Sequence, residues 1–91
     1  MLPTGRLIQQ EINGSEYTQR EVATLIGSDT GAFYKIFNSK MLLTVDFAVR
    51  LEKVFGKGKA HEWLHYQVDY LLWRTKNGQG EGFYRKNIHN T

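Results

Sequence analysis

The stretch Thr18-Gln19-Arg20-Glu21 constrains this chain more than any other. A threonine followed three residues later by a glutamate, just ahead of Val22, Ala23 and Ile26, is a capping box. The Thr18 hydroxyl accepts from the Glu21 backbone N–H, and the Glu21 carboxylate reaches back to the N–H of Thr18. A helix is therefore predicted to begin at Gln19 with Val22, Ala23 and Ile26 facing inward. Gly27 follows, where the left-handed backbone that ends a helix is least costly for glycine. Ser28 or Asp29 then serves as N-cap to a second short segment, running to about Phe37, whose apolar residues Phe33, Ile36 and Phe37 recur at helical spacing. Two short helices joined by so tight a turn have the outline of a helix-turn-helix, spanning 18–38.

The flanks are helical as well, and nothing alternates with period two over the length of a strand, so the fold class is all-α. A first helix, about Thr4 to Ile12, carries Leu7, Ile8 and Ile12, and the turn cluster Asn13-Gly14-Ser15 ends it. Thr44 caps a fourth helix bearing Phe47, Ala48, Leu51, Val54 and Phe55, and Gly56-Lys57-Gly58 stops it. The fifth and longest, about Lys59 to Arg74, places Ala60, Trp63, Leu64, Val68, Leu71 and Leu72 on one broad apolar stripe. Tyr66, Tyr70 and Trp73 form an aromatic line beside it. One stripe suffices for packing, so this second line is the expected interface with a twin copy or a protein partner. The reading is thus a helix-turn-helix domain over 1–74 with terminal helix 59–74. A flexible basic tail rich in Gly and Asn is expected over 75–91, carrying Phe83 and Tyr84.

Ninety-one residues give one domain with a single modest core. The absence of cysteine excludes disulfides and thiolate-held metals. No apolar stretch near the N-terminus has the length of a signal segment and none anywhere reaches that of a membrane span, so the expected location is the cytoplasm. The net charge of +3 is unevenly placed. Up to Gly56, six basic residues meet six acidic ones; from Lys57 onward, six basic residues face only Glu62, Asp69 and Glu81. An excess this small is compatible with an anionic partner without singling one out.

Three segments carry a resemblance. TQREVATLIGSDTGAFYKIFNSK resembles the helix-turn-helix of lambda-repressor-like (XRE) regulators. The shared features are the capped T-Q-x-E, the alanine inside the first helix, the glycine at the turn, and the Ile and Asn-x-Lys that close the second helix. LTVDFAVRLEKVFG and EWLHYQVDYLLW are similar to the HigA-type antitoxins, with a threonine-capped helix, an A-x-R-L run, and a terminal helix built around E-W-L followed by Gln and an aromatic. The match covers Pro3 to about Trp73. It implies a five-helix lambda-repressor-like domain whose second motif helix lies in a DNA major groove. Thr30, Gly31, Ala32, Tyr34 and Lys35 would then stand near base edges, and Gln19 and Lys40 on phosphates. The chain departs from the pattern at Asp29-Thr30-Gly31-Ala32, where relatives commonly carry Arg, Ser or Pro. Glycine and alanine make no bidentate base contact, which leaves Tyr34 and Lys35 as the main readers, with the Thr30 methyl against thymine. The resemblance further implies a homodimer on a palindromic operator, repression of its own operon, and an mRNA-cleaving, ribosome-dependent toxin as protein partner. A phage or plasmid repressor of the same fold, or an interaction module without DNA binding, are the rival readings.

One motif points elsewhere. His61-Glu62-Trp63-Leu64-His65 fits H-E-x-x-H, by which a helix offers two imidazoles to zinc and a glutamate as general base. Trp63 and Leu64, however, belong to the apolar stripe, so an ordinary packed helix accounts for them. A catalytic zinc also needs a third ligand, and downstream only Asp69, Glu81 and His89 remain. The expectation is no metal, no cofactor and no catalysis.

Overall fold

The computed structural model describes residues 1–78. Those residues form five helices and no strand: α1 (Thr4–Asn13), α2 (Gln19–Leu25), α3 (Thr30–Phe37), α4 (Val45–Phe55) and α5 (Lys59–Lys76). Three of the starts are set by local side-chain caps. Both halves of the Thr18/Glu21 capping box are present, with Glu21 N–H donating to Thr18 Oγ1 at 3.1 Å and Thr18 N–H to Glu21 Oε1 at 2.8 Å. Asp29, not Ser28, caps α3 by accepting from Ala32 N–H at 2.9 Å, and Thr44 caps α4 by accepting from Phe47 N–H at 3.1 Å. At the turn, Gly27 takes φ +71°, and Ser28 N–H donates back to the Ala23 carbonyl at 2.8 Å, which closes α2 in the left-handed manner that glycine favours.

Helix α5 begins differently. Gly58, at φ +92°, offers no capping side chain. The cap comes from α4 instead: Glu52 Oε2 accepts from Gly58 N–H at 2.9 Å and from Ala60 N–H at 3.0 Å. A carboxylate at a helix N-terminus satisfies orphan donors and meets the positive end of the dipole. Lys59 then pins α5 to α1 through the Glu11 carboxylate. That hydrogen bond raises the Lys59 pKa above its ordinary value; partial burial opposes the shift, and the charges of Glu11 and Glu62 add to it.

The core is a continuous cluster from all five helices. Phe33 of α3 lies against Phe37 (centroids 5.3 Å apart) and edge-on to Phe47 of α4 (5.2 Å, 82°). Trp63 of α5 is wholly buried and meets the edge of Phe55 at 6.1 Å. Such offset and edge-on pairs are the geometries that the ring quadrupole favours. Helix α1 crosses α3 backbone to backbone at Gly5. A Cβ there would overlap the Ile36 carbonyl oxygen and stand 2.9 Å from Phe37 Cα.

Two expectations about α5 need correction. Its buried line is Ala60, Trp63, Gln67 and Tyr70, whereas Val68 and Leu72 are 54% and 52% exposed. The rotation has a polar cause. Gln67 clasps the backbone of Leu43 in the α3–α4 loop, accepting from Leu43 N–H at 2.8 Å and donating Nε2–H to the Leu43 carbonyl at 3.0 Å. A residue chosen for its hydrogen bonds, not its apolarity, therefore sets which face turns inward. The helix also runs on through Thr75 and Lys76, two residues past the expected end at Arg74. Asn77 Nδ2–H donates to the Trp73 carbonyl at 2.7 Å, and Gly78, at φ +82°, supplies the stop. Of the expected tail, residues 79–91, with Phe83 and Tyr84, lie outside the described residues.

Candidate nucleic-acid interface

The α1–α2 turn and the first turns of α2 and α3 open onto one side of the molecule. Ser15 shapes the approach: its hydroxyl donates to the Ile12 carbonyl at 2.6 Å and accepts from Tyr17 N–H at 3.1 Å, bringing Tyr17 beside the capping box. A shallow cleft follows, bounded by Asn13, Tyr17, Gln19, Arg20, Thr30 and Tyr34. Its floor is Phe33, one of the buried core rings, so core packing fixes the spacing of the α2 and α3 rims.

Of the residues expected to contact DNA, Thr30, Gly31, Tyr34, Lys35 and Lys40 are exposed, Tyr34 at 61%. Gln19 is half-buried on the first turn of α2. Ala32 is half-buried and packs against the core, so its methyl is shared between the surface and the interior. Gly31 lies under the Asp29 cap, and a Cβ there would meet Asp29 Oδ1 at 3.1 Å. Lys40 is tied to Lys35 through the main chain. Ser39 turns the chain at φ +60°, and the N–H groups of Lys40 and Met41 both donate to the Lys35 carbonyl, at 2.8 and 3.1 Å.

Arg20 is the basic side chain that lines the cleft. Among the described residues, Arg50 pairs with Asp46 at 3.1 Å and donates Nη1–H to the Ile26 carbonyl at 3.3 Å, while Lys59 is held by Glu11. Arg20, Lys35 and Lys40 enter no ion pair among those residues, so their charges face solvent uncompensated. Arg20 is the residue that sequence reasoning passed over. Its position just after Gln19, on the first turn of a capped helix, was the available signal. Asp29 is also exposed here, and its carboxylate occupies the N-terminus of α3. That end of the helix therefore offers an anion less than a bare terminus does.

The aromatic line expected as an interface is largely drawn into the fold. Tyr70 is 9% exposed, Trp73 is half-buried beside it with ring centroids 6.2 Å apart, and half-buried Tyr66 donates its hydroxyl to the Leu2 carbonyl at 2.6 Å. The Tyr66 hydroxyl thereby ties the N-terminal segment to α5. The exposed apolar side chains of α5 are instead Val68 and Leu72, with half-buried Leu71 beside them.

His61 and His65 stack at 5.0 Å and 20° on the exposed face of α5, while Trp63 between them is buried. Glu62 stands 3.7 Å from the Lys59 ammonium. Among the described residues no three histidine, aspartate or glutamate side chains gather closely enough to hold a metal ion. Nor is any described helix long and apolar enough to cross a membrane. No protein-family model matches this chain, and no curated protein matches it.

Proposed function

We propose that this chain is a sequence-specific DNA-binding repressor of the lambda-repressor-like helix-turn-helix kind, and that it is the antitoxin of a HigA-type module. The observation that carries the reading is the cleft that Gln19, Arg20, Thr30 and Tyr34 share, with Lys35 exposed on α3 and Lys40 exposed in the loop after it. In this reading α3 enters the major groove, Tyr34 and Lys35 meet base edges, and the Thr30 methyl meets a thymine. Gln19, Arg20 and Lys40 hold phosphates, fixing register without reading sequence. The antitoxin part rests on the resemblance of the α4–α5 segment. It implies a cytoplasmic homodimer on a palindromic operator, autoregulation, and neutralisation of an mRNA-cleaving toxin.

Fluorescence anisotropy on duplexes from the gene's own upstream region, against scrambled DNA and at two salt concentrations, tests it. Selective binding that weakens steeply with salt is expected. Tyr34→Ala should relax selectivity, costing about 1–3 kcal/mol on the cognate duplex. Arg20→Gln and Lys40→Gln should each weaken both duplexes alike and lower the salt slope by about 1. Weak, equal, salt-insensitive binding to both duplexes rejects the repressor. It would favour the second reading, an interaction module without DNA binding, for which the exposed Asp29 at the head of α3 is the specific observation.

A further inference from the structure

The histidine pair of α5 takes no part in the proposed function. His61 and His65 lie four residues apart, both are exposed, and their rings stack at 5.0 Å with 20° between their planes. Side chains at this spacing are neighbours on one face of a helix. Packing does not require either ring, since both stand outside the core cluster. Trp63 between them is wholly buried, so this turn is fastened to the core and cannot unwind without exposing the indole. Among the described residues the side-chain hydrogen bonds of α5 belong to Lys59, Tyr66 and Gln67, which leaves both imidazoles without a polar partner there.

Two free imidazoles side by side suit one class of ligand. A divalent transition metal takes imidazole nitrogen at about 2.0–2.1 Å, so two rings on one ion bring their nitrogens to about 3 Å from each other. Ring centres 5.0 Å apart permit this once the nitrogen edges lean together, a rotation open to exposed side chains. We infer that His61 and His65 form a two-imidazole site for a nitrogen-preferring divalent transition metal. Copper(II) is held more tightly there than nickel(II) or zinc(II), with water in the remaining positions. Magnesium and calcium, which take oxygen ligands, are excluded. The surroundings set the limits of the site. Glu62 is drawn to the Lys59 ammonium, 3.7 Å away. Asp69 follows His65 by one turn, and its charge offsets part of the cation's. Among the described residues no third histidine, aspartate or glutamate closes on the pair, so the ion is held by two protein ligands, weakly and in exchange with solvent. The two rings converge only while this turn of α5 is helical, so binding stabilises the fold.

Calorimetric titration and thermal melts of the full chain in weakly alkaline buffer, with the chlorides of copper(II), nickel(II), zinc(II) and magnesium, test the site. Copper(II) well above its dissociation constant should raise Tm by about 4 °C or more, nickel(II) and zinc(II) by less, and magnesium not at all. His61→Ala and His65→Ala should each lower copper(II) affinity about tenfold or more, because either change ends the chelate. Both should leave the metal-free melt unchanged, since neither ring belongs to the core. His89→Ala should not alter binding. Asp69→His added to His65→Ala restores the number of histidines but sets them eight residues apart, about 12 Å along the helix, and should not restore affinity. Copper(II) binding that survives both single substitutions overturns the proposal, as does binding lost on His89→Ala. So does recovery of affinity in the double variant, a Tm that responds to magnesium as it does to copper(II), or the absence of any binding up to about 1 mM copper(II). DNA enters none of these measurements, so the metal site and the repressor reading stand or fall separately.

Discussion

Replacing Gln67 by leucine should destabilise this domain more than any other single polar-to-apolar change on α5. The side chain is 9% exposed and serves both polar groups of the Leu43 backbone, at 2.8 and 3.0 Å, in a loop residue that is itself buried. Neither group belongs to a helix. Leucine matches the volume but provides no partner, so one buried N–H and one buried carbonyl lose their hydrogen bonds together. Each loss costs about 1–3 kcal/mol, and the added apolar burial of leucine returns part of it, leaving a net loss of about 2–4 kcal/mol. For a domain of this size that lowers Tm by at least about 8 °C. Urea and thermal unfolding followed by circular dichroism measure the change, and amide exchange at Leu43 should accelerate with it. Gln67→Glu supplies the control. Its carboxylate still accepts from Leu43 N–H but opposes the Leu43 carbonyl, whereas its protonated form can donate to it. Its folded pKa should thus be raised, so the variant should approach wild type below about pH 4 and fall away from it as pH rises. If Gln67→Leu stays within about 0.5 kcal/mol of wild type, the clasp is not what orients α5.

Three further outcomes follow from the same geometry. Gly5→Ala should cost about 1–3 kcal/mol or more in urea unfolding, because its methyl meets the main chain of Ile36 and Phe37, which cannot rotate aside. The stabilisation from Lys59 and Glu11 belongs to a base with a raised pKa. It should be fully present below the unfolded lysine value of about 10.4 and lost as pH climbs through the folded value above it. Lys59→Met should remove that alkaline loss from thermal melts. Asp29→Asn keeps an equivalent cap for Ala32 N–H, so Tm should hardly move, while removing a negative charge from the α3 surface. Under the repressor reading its operator affinity should rise up to about fivefold, worth at most about 1 kcal/mol.

Helix starts were legible in the sequence because their chemistry is local. Thr18 with Glu21, Asp29 with Ala32 and Thr44 with Phe47 each span three residues, so spacing alone reveals them. The start of α5 at Lys59 was legible as well, from the Gly56-Lys57-Gly58 stop before it, although its cap comes from Glu52 on another helix. The faces that depend on distant partners were not: the burial of Gln67 depends on Leu43, twenty-four residues away. Without that clasp in view, the apolarity of Val68 and Leu72 outweighed the polarity of Gln67 and turned the expected stripe outward. The aromatic line suffered in the same way. Tyr66 is committed to the Leu2 carbonyl, a contact that helical periodicity cannot express. At the candidate interface, the exposure of Thr30, Tyr34 and Lys35 followed directly from the inward placement of Phe33, Ile36 and Phe37. Arg20 was passed over although its place on the first turn of a capped helix was visible; the fold adds that it lines a cleft with Tyr34.

The close approach at Gly5 bears on how the α3 surface meets anything that binds it. Between most packed helices, side chains form a compliant layer that absorbs small shifts by changing rotamer. Where the Gly5 backbone lies on Ile36 and Phe37 that layer is missing. Helices α1 and α3 consequently behave as one stiff body, and a displacement of α3 must carry α1 with it. The exposed side of α3 is therefore shaped before any encounter. Little ordering remains to be done on contact, and whatever mismatch exists must be taken up by the other molecule.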